Sequence, residues 1–126
     1  ATTIKISVVI GKAYGPAYIA LAGKGANADI SYAVPSAVIS PLNPVTAVEF
    51  MEHDELKGAS DLTAERKALA DKYADTKASA SYAAVSGCVD GIVEPAQIRE
   101  TLINSIEIMA GKRISRLPKK HSNIQL

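Results

Sequence analysis

The stretch GKAYGPAYIALAG, residues 11–23, separates an apolar run rich in β-branched residues from a segment rich in small ones. The run before it, IKISVVI at 4–10, predicts a strand that is buried on both faces. Pro16 suits the first position of a helix, because the N–H that proline lacks has no helical partner there. We therefore predict a strand, a tight GKAYG corner and a helix that runs to about Gly23, with Gly23 and Gly25 ending it.

Outside this stretch, short apolar segments alternate with helical patterns, and Gly or Pro separates most of them. We predict strands at 28–34 and 91–93, a short apolar segment at 36–40, helices at 44–57, 61–75, 78–87 and 95–110, and a basic tail at 112–126. Asn43 followed by Pro44 has the pattern of a helix N-cap with a first-turn proline. No internal repeat is visible in the sequence. The order of strands and helices predicts an α/β fold.

The helical spacing of apolar residues also indicates which side chains face the core. In the three longest helices these are Val45, Val48 and Met51; Leu62, Leu69 and Tyr73; and Ile98, Leu102, Ile106 and Met109, with Ile103 beside them. The helix at 61–75 is highly charged and its apolar stripe is thin, so we expect it to lie on the outside.

The composition is that of one folded domain. The chain has 126 residues, of which 48% are hydrophobic and 21% are charged. A net charge of +1, with 5% aromatic residues and no tryptophan, argues against a nucleic-acid-binding protein. The longest apolar run, AYIALA at 17–22, is far shorter than the roughly 20 residues of a membrane span. The single Cys88 allows no intrachain disulfide, which favours a reducing compartment and a cytoplasmic location.

Reactive side chains are not grouped in this sequence. His53 and His121 are far apart, and no H-x-x-x-H or C-x-x-C spacing occurs, so we expect no metal site. Cys88 has no histidine near it, which favours a small buried side chain over a nucleophile. The backbone is then the remaining candidate for catalysis, since a glycine corner at a helix N-terminus can stabilise an oxyanion with peptide N–H groups. The residues alone favour the alternative, a tight turn with glycine at positive φ.

Four motifs nevertheless match one family. They are KAYGPAY at 12–18, AD at 28–29 with AVPSA at 33–37, SGCVDGIVEPAQIRETL at 86–102, and PKKHSNI at 118–124. The family's counterparts are K-A-Y-G-G-A-Y, G-A-D with A-W-P-T-A, G-Y-V-D-x-V-I-x-P-x-x-T-R, and P-K-K-H-G-N-I-P. In this combination and order the chain resembles the carboxyltransferase subunits of biotin-dependent acyl-CoA carboxylases and decarboxylases, above all methylmalonyl-CoA decarboxylase α subunits.

The resemblance implies an α/β fold of the crotonase-like kind, built from repeated ββα units. It also implies that residues 1–126 are the C-terminal part of the C-terminal domain of a longer subunit. The missing initiator methionine suggests a fragment of a longer protein, and methionine removal would explain Ala1 equally well. In the family, a biotin carboxyl carrier protein brings the cofactor biotin to this domain. The N-terminal domain of a second protomer holds the coenzyme A thioester, which implies a homo-oligomer. The resemblance implies contact with a membrane only indirectly, if the subunit is part of a decarboxylase complex.

The resemblance also implies which residues form the site. In the family, backbone N–H groups hold the oxyanions that form on biotin and on the thioester, and no metal is needed. By the matching motif, Gly15 and Ala17 have catalytic roles, and Pro16, Tyr18 and Ile19 contact the substrate. The family has a second donor at the position of Pro16, and proline has no N–H to donate.

Two alternatives to a biotin-dependent carboxyltransferase stay open on the sequence. One is another crotonase-like enzyme, a hydratase, isomerase or hydrolase that acts on an acyl-CoA and generally has a carboxylate acid or base near its oxyanion site. The other is a non-catalytic paralogue that has lost the donor at Pro16 and serves as an assembly or binding subunit. Val34, where the family usually has tryptophan, is a second departure.

Overall fold

The computed structural model describes residues 3–21, 23–58 and 60–113. In these ranges the strands are β1 (Ile6–Val9), β2 (Lys12–Tyr14), β3 (Ile30–Ala33), β4 (Val38–Ser40) and β5 (Gly91–Ile92). The helices are α1 (Gly15–Ala20), α2 (Pro44–Met51), α3 (His53–Lys57), α4 (Leu62–Asp75), α5 (Ala80–Val85) and α6 (Ile98–Met109), and a 3₁₀ turn at Pro95–Gln97 leads into α6. None of these described helices has both the length and the apolar character that crossing a membrane requires.

The strands form two parallel sheets. β3 lies between β1 and β5, with Ile6 opposite Ile30 and Tyr32 opposite Gly91, and β2 pairs with β4 in the second sheet. The chain therefore contains two units of the same order, β1-β2-α1 and β3-β4-α2. In each unit the first strand belongs to one sheet, the second strand belongs to the other sheet, and a helix follows. The ββα repeat that the resemblance implies is confirmed. The sequence shows no repeat because the two units share strand order and direction but not side chains.

Strand β2 is an element that the sequence pattern does not predict. It covers only the three residues KAY, too few to show an alternation of apolar and polar side chains. Its partner β4 belongs to the next unit, so the pairing is set by the tertiary fold. The predicted GKAYG corner is thus a short strand that turns directly into α1. That helix ends at Ala20, earlier than the predicted end at Gly23.

Small side chains from both sheets and from α5 make up one core cluster. The buried cluster consists of Val9, Ala33, Val34, Ala37, Ile39, Ala80, Ala83 and Val89. Val34, which stands where the family usually has tryptophan, is only 2% exposed and packs inside the core. The prediction that 4–10 is buried on both faces is wrong for the described residues. Only Val9 of β1 is buried, because β1 lies at an edge of its sheet.

The segment after β4 folds into two short helices where one was predicted. Asn43 caps α2 as expected, since its side-chain oxygen accepts a hydrogen bond from the Val45 N–H at 3.1 Å. Val48 is buried against residues of α3 and α4, as predicted, but Val45 and Met51 are exposed. The helix breaks at Glu52 and restarts as α3, which turns the later residues to a new direction.

The long helices α4 and α6 expose more apolar surface than the sequence pattern predicts. α4 lies on the outside as expected, with Leu69 and Tyr73 half-buried, but Leu62 is exposed. On α6, Ile106 is 50% exposed, while Ser105 takes the inner position. Ser105 is suited to that position because its hydroxyl donates to the Thr101 carbonyl and lies 2.9 Å from the Tyr32 hydroxyl.

An ion pair joins the end of α6 to the beginning of the sheet. The Lys112 ammonium lies 2.6 Å from an Asp29 carboxylate oxygen and donates to the Thr3 carbonyl at 2.9 Å. Hydrogen bonds from Lys112 and from the Lys5 N–H hold the pKa of Asp29 below its ordinary value. The first residue of the predicted tail therefore packs on the folded domain. Residues 114–126, with His121 and the motif at 118–124, lie outside the described residues.

Candidate functional site

Gly15 shapes the corner between β2 and α1. Its φ is +50°, in the left-handed region that favours glycine. A Cβ added there would lie 2.8 Å from the Pro41 carbonyl oxygen, just after β4. Both observations require glycine, and they confirm that the corner is a tight turn with glycine at positive φ. A turn of this kind does not exclude an oxyanion site, since it also sets the direction of the helix N-terminus.

The N–H of Ala17 lies in the first turn of α1. Because the φ of Gly15 lies outside the helical region, Pro16 is the first residue whose φ suits a right-handed helix. The N–H groups of a first turn have no partner within their helix. Ala17 is also exposed. The corner therefore presents a peptide donor to its surroundings.

This donor lies beside an open hollow of about 250 Å³, called the corner hollow below. Its lining comes from β1, β2 and the inner side of α1: Ser7, Val8, Val9, Ile10, Gly11, Lys12, Ala13, Tyr14, Ala17, Tyr18 and Leu21. Among these described residues, Lys12 is the one with a charged side chain, which favours an anionic ligand. The sequence gives no sign of this role for Lys12, because one lysine carries no signal of its own.

Only part of the predicted site lines the corner hollow. Ala17 and Tyr18 line it, whereas Gly15, Pro16 and Ile19 do not. Pro16 is exposed, and Ile19 is 55% exposed. Roles of these five residues in substrate binding or catalysis stay predictions.

Tyr18 has a second set of contacts on its polar end. Its hydroxyl donates to the Cys88 carbonyl at 3.2 Å and lies 3.3 Å from the Ser31 hydroxyl. Its ring packs against the buried core cluster. Tyr18 therefore has its hydroxyl anchored in the protein while its ring borders the corner hollow.

Lys24 and Asp90 form an ion pair that the sequence did not indicate. The ammonium lies 2.6 Å from the carboxylate, which also accepts the Ser31 N–H at 2.9 Å. The hydrogen bond from Lys24, with a further contribution from Ser31, holds the pKa of Asp90 below its ordinary value against the opposing effect of burial. The carboxylate is therefore charged at neutral pH. The two residues are too far apart in sequence for any spacing rule to join them.

The expectation of a buried Cys88 is wrong. The thiol is free and exposed. The chain turns at Gly87, whose φ is +75°, and the turn places Val89 in the core in its stead. In the ranges that the structure describes, no three histidine, cysteine, aspartate or glutamate side chains come close enough together to hold a metal ion.

Replacing Gly15 by alanine is expected to destabilise the corner by about 1–3 kcal/mol, from the strained φ and the close approach of the Pro41 oxygen. Gly25→Ala is the matched control, since Gly25 has φ +83° but open space around an added Cβ. Thermal denaturation of both variants measures the difference. Gly15→Ala should be the more destabilised of the two. Equal losses would contradict a role for the Pro41 contact.

The comparisons with known proteins agree on one family. A sequence model described as carboxyl transferase domain matches residues 1–124. The carboxyltransferase subunit of propionyl-CoA carboxylase from Haloferax mediterranei is 40% identical over 126 residues, which are 100% of this chain and 24% of the relative. The α subunit of methylmalonyl-CoA decarboxylase from Propionigenium modestum is 36% identical over 126 residues, again 100% of this chain and 24% of the relative.

A solved structure agrees with these relatives. The transcarboxylase 12S hexamer, crystallised with methylmalonyl-coenzyme A and methylmalonic acid, superimposes with a TM-score of 0.84 at 36% identity. The match covers 98% of this chain and 24% of that one. The chain thus spans about a quarter of the length of the relatives it matches. With the α/β crotonase-like fold and the match over 1–124, the chain belongs to the carboxyl transferase domain family.

Proposed function

We propose that this chain is part of a subunit that transfers a carboxyl group between biotin and a short-chain acyl-CoA. The observation that carries the proposal is the exposed Ala17, whose N–H lies in the first turn of α1, beside the corner hollow. Relatives named propionyl-CoA carboxylase and methylmalonyl-CoA decarboxylase support this reaction class. We propose the decarboxylase direction, from methylmalonyl-CoA or a similar thioester to biotin. Within the subunit, the chain is the C-terminal part of the C-terminal domain.

The residues of the corner suit a carbonyl that becomes negatively charged. The Ala17 N–H is a fixed donor, and such a donor contributes about 3–4 kcal/mol to transition-state stabilisation. Gly15 fixes the turn that aims it, through its φ of +50°. Lys12 adds a positive charge at the rim of the corner hollow. Pro16 supplies no donor, but its fixed φ orders the start of the helix that carries Ala17.

The size of the corner hollow fits the ring end of biotin better than a whole thioester. Its volume of about 250 Å³ lies below the roughly 300–1,000 Å³ of pockets for drug-sized ligands. When bound, biotin supplies a urea group that accepts or gives up the carboxyl. Ala17 and Tyr18 would hold its ring from the side of α1, and the carbonyl end would face the Ala17 N–H. Pro16 would lie beside the same carbonyl without donating to it, and Ile19, on the outer side, would border the acyl group.

The proposal includes partners for this chain. A biotin carboxyl carrier protein delivers biotin, and the N-terminal domain of a second protomer completes the site with the coenzyme A thioester. The transcarboxylase 12S neighbour is a hexamer in a multienzyme core, which supports a homo-oligomer. We place the assembly in the cytoplasm, with membrane contact only indirectly, through a decarboxylase complex.

Two observations bear on the alternatives. The described residues that line the corner hollow include no carboxylate, which disfavours a hydratase or isomerase with an acid or base at this position. The proline at position 16 favours the non-catalytic paralogue, since one family donor is missing. That paralogue would bind the biotinylated carrier protein without turnover, and titration of the carrier against the complete subunit separates it from the enzyme.

The test uses the complete subunit with free biotin and methylmalonyl-CoA. We expect propionyl-CoA to form at a rate that rises with biotin concentration. Omission of biotin is the first control, and propionyl-CoA, which has no carboxyl group to give, is the second. If no short-chain carboxyacyl-CoA shows biotin-dependent loss of its carboxyl group, the proposal is wrong.

A further inference from the structure

Helix α1 has little apolar anchorage of its own. It has six residues, and none of them is buried. Isolated helices shorter than about 12 residues are marginal in water. In the described part of the chain, the partly buried Tyr18 ring is the one apolar contact that this helix makes with the core cluster, so apolar burial fixes its position only weakly. Since Ala17 lies in α1, whatever fixes the helix also fixes the direction of its N–H.

Polar contacts hold the segment at two points. Near the middle of α1, the Tyr18 hydroxyl donates to the Cys88 carbonyl, at 3.2 Å, on the chain leading into β5. Just beyond the helix, Lys24 reaches the Asp90 carboxylate at 2.6 Å, also beside β5. The two contacts lie on either side of the helix end. Together they join the segment that carries Ala17 to the first sheet.

Ser31 connects these two contacts. It is 0% exposed, and it lies in the central strand β3. Its N–H donates to Asp90 at 2.9 Å, and its hydroxyl lies 3.3 Å from that of Tyr18. Because the Tyr18 hydrogen goes to the Cys88 carbonyl, Ser31 is the donor in the contact between hydroxyls. One continuous network thus runs from Tyr18 through Ser31 and Asp90 to Lys24, called the α1 network below.

We propose that the α1 network positions the Ala17 N–H, with Tyr18 and Asp90 as positioning residues and not as groups that react. The role in catalysis rests on the proposed function, whereas the hold on α1 does not. Loss of either member lets α1 shift against the sheet. A misplacement of about 1 Å can lower a rate by about 100-fold. The two contacts share Ser31, so their effects should not be independent.

The experiment uses the complete subunit with Tyr18→Phe, Asp90→Asn and the double variant. Tyr18→Phe keeps the ring on the core, and Asp90→Asn keeps an acceptor for the Ser31 N–H. Tyr82→Phe is the control for the first, because the described residues offer the Tyr82 hydroxyl no hydrogen-bond partner. Asp71→Asn is the control for the second, since Asp71 is exposed and forms no ion pair with a described residue.

Two readouts separate the two parts of the inference. Hydrogen exchange of the peptide over 12–21 reports the hold on α1 whatever the reaction is. Steady-state kinetics with biotin and methylmalonyl-CoA report positioning. We expect each variant to exchange about 10-fold faster over 12–21 and to lose about 10-fold in kcat, with KM for the thioester nearly unchanged. The double variant should lose less than the product of the single losses, and both controls should match the wild type.

Unchanged exchange over 12–21 in both variants overturns the inference. Faster exchange with an unchanged kcat also overturns it, since the network would then hold α1 without positioning a donor. If the wild-type subunit shows no turnover, the proposed function fails and the catalytic role fails with it. In that case faster exchange in the variants still supports the hold of the α1 network on the helix.

Discussion

Replacing Ala17 by proline is expected to lower the kcat of biotin-dependent carboxyl transfer by about 10²- to 10³-fold, the loss typical of one oxyanion donor. Ala17 offers a first-turn N–H beside the corner hollow, and Pro16 offers none in its place. Proline is tolerated in a first helical turn, so the fold should persist. KM for the thioester should change only a few-fold, because the proposed function places the thioester in another domain.

Three further variants make this result specific to the Ala17 N–H. Ala17→Gly keeps the N–H and removes only the methyl group, so its kcat should stay within a few-fold of the wild type. Ala20→Pro, at the last residue of α1, shows what a disrupted helix does to activity and thermal stability. A backbone ester in place of the Ala17 amide removes the N–H and adds no ring. A wild-type kcat for the ester or for Ala17→Pro would show that the oxyanion is held elsewhere.

Much of the fold follows from local patterns in the sequence. A run of β-branched residues predicts β1, an alternation of side chains predicts β3, and the Asn43-Pro44 pair predicts the start of α2. These features depend on neighbours within a few residues, so a single sequence contains them. The ββα repeat does not depend on such neighbours. It came from the resemblance, because two units with the same strand order need not share side chains.

The predictions that are wrong concern which side chains are buried and which residues distant in sequence come into contact. Helical spacing identifies the apolar face of a helix but not which positions on that face other elements will cover. Val45 and Ile106 lie on predicted apolar faces and are nevertheless exposed. Cys88 is exposed because Gly87 turns the chain and places Val89 inside, which spacing does not reveal.

Of the candidate site, too, only a part could be predicted from the sequence. Gly15 at positive φ could be expected from the residues, and the role of Ala17 could be expected only from the resemblance. The α1 network could not be predicted, since Tyr18, Ser31 and Asp90 meet only in the folded chain. A short helix without buried residues needs such tertiary contacts, and nothing in its own sequence names them.

Replacing Pro16 by alanine or glycine is expected to raise kcat by about 10- to 100-fold, since either residue restores an N–H at the position of the family's second donor. Position 16 lies in the first turn of α1, where an N–H has no helical partner and is free for a ligand. Alanine keeps most of the helical order that proline imposes. Glycine matches the family motif but adds about 0.5–1 kcal/mol of backbone freedom to be lost on ordering. The gain should therefore be larger for Pro16→Ala.

The same pair of variants decides between the enzyme and the non-catalytic paralogue. If the wild-type subunit binds the biotinylated carrier without turnover and both variants turn over methylmalonyl-CoA, the loss of one N–H at position 16 accounts for the inactivity. If the wild type turns over and both variants are faster, Ala17 sustains the reaction alone and Pro16 limits its rate. Thermal denaturation and carrier titration control for changes in fold and docking. An unchanged kcat in both variants, with fold and docking intact, would contradict an oxyanion donor at position 16 and leave the ordering of α1 as the role of Pro16.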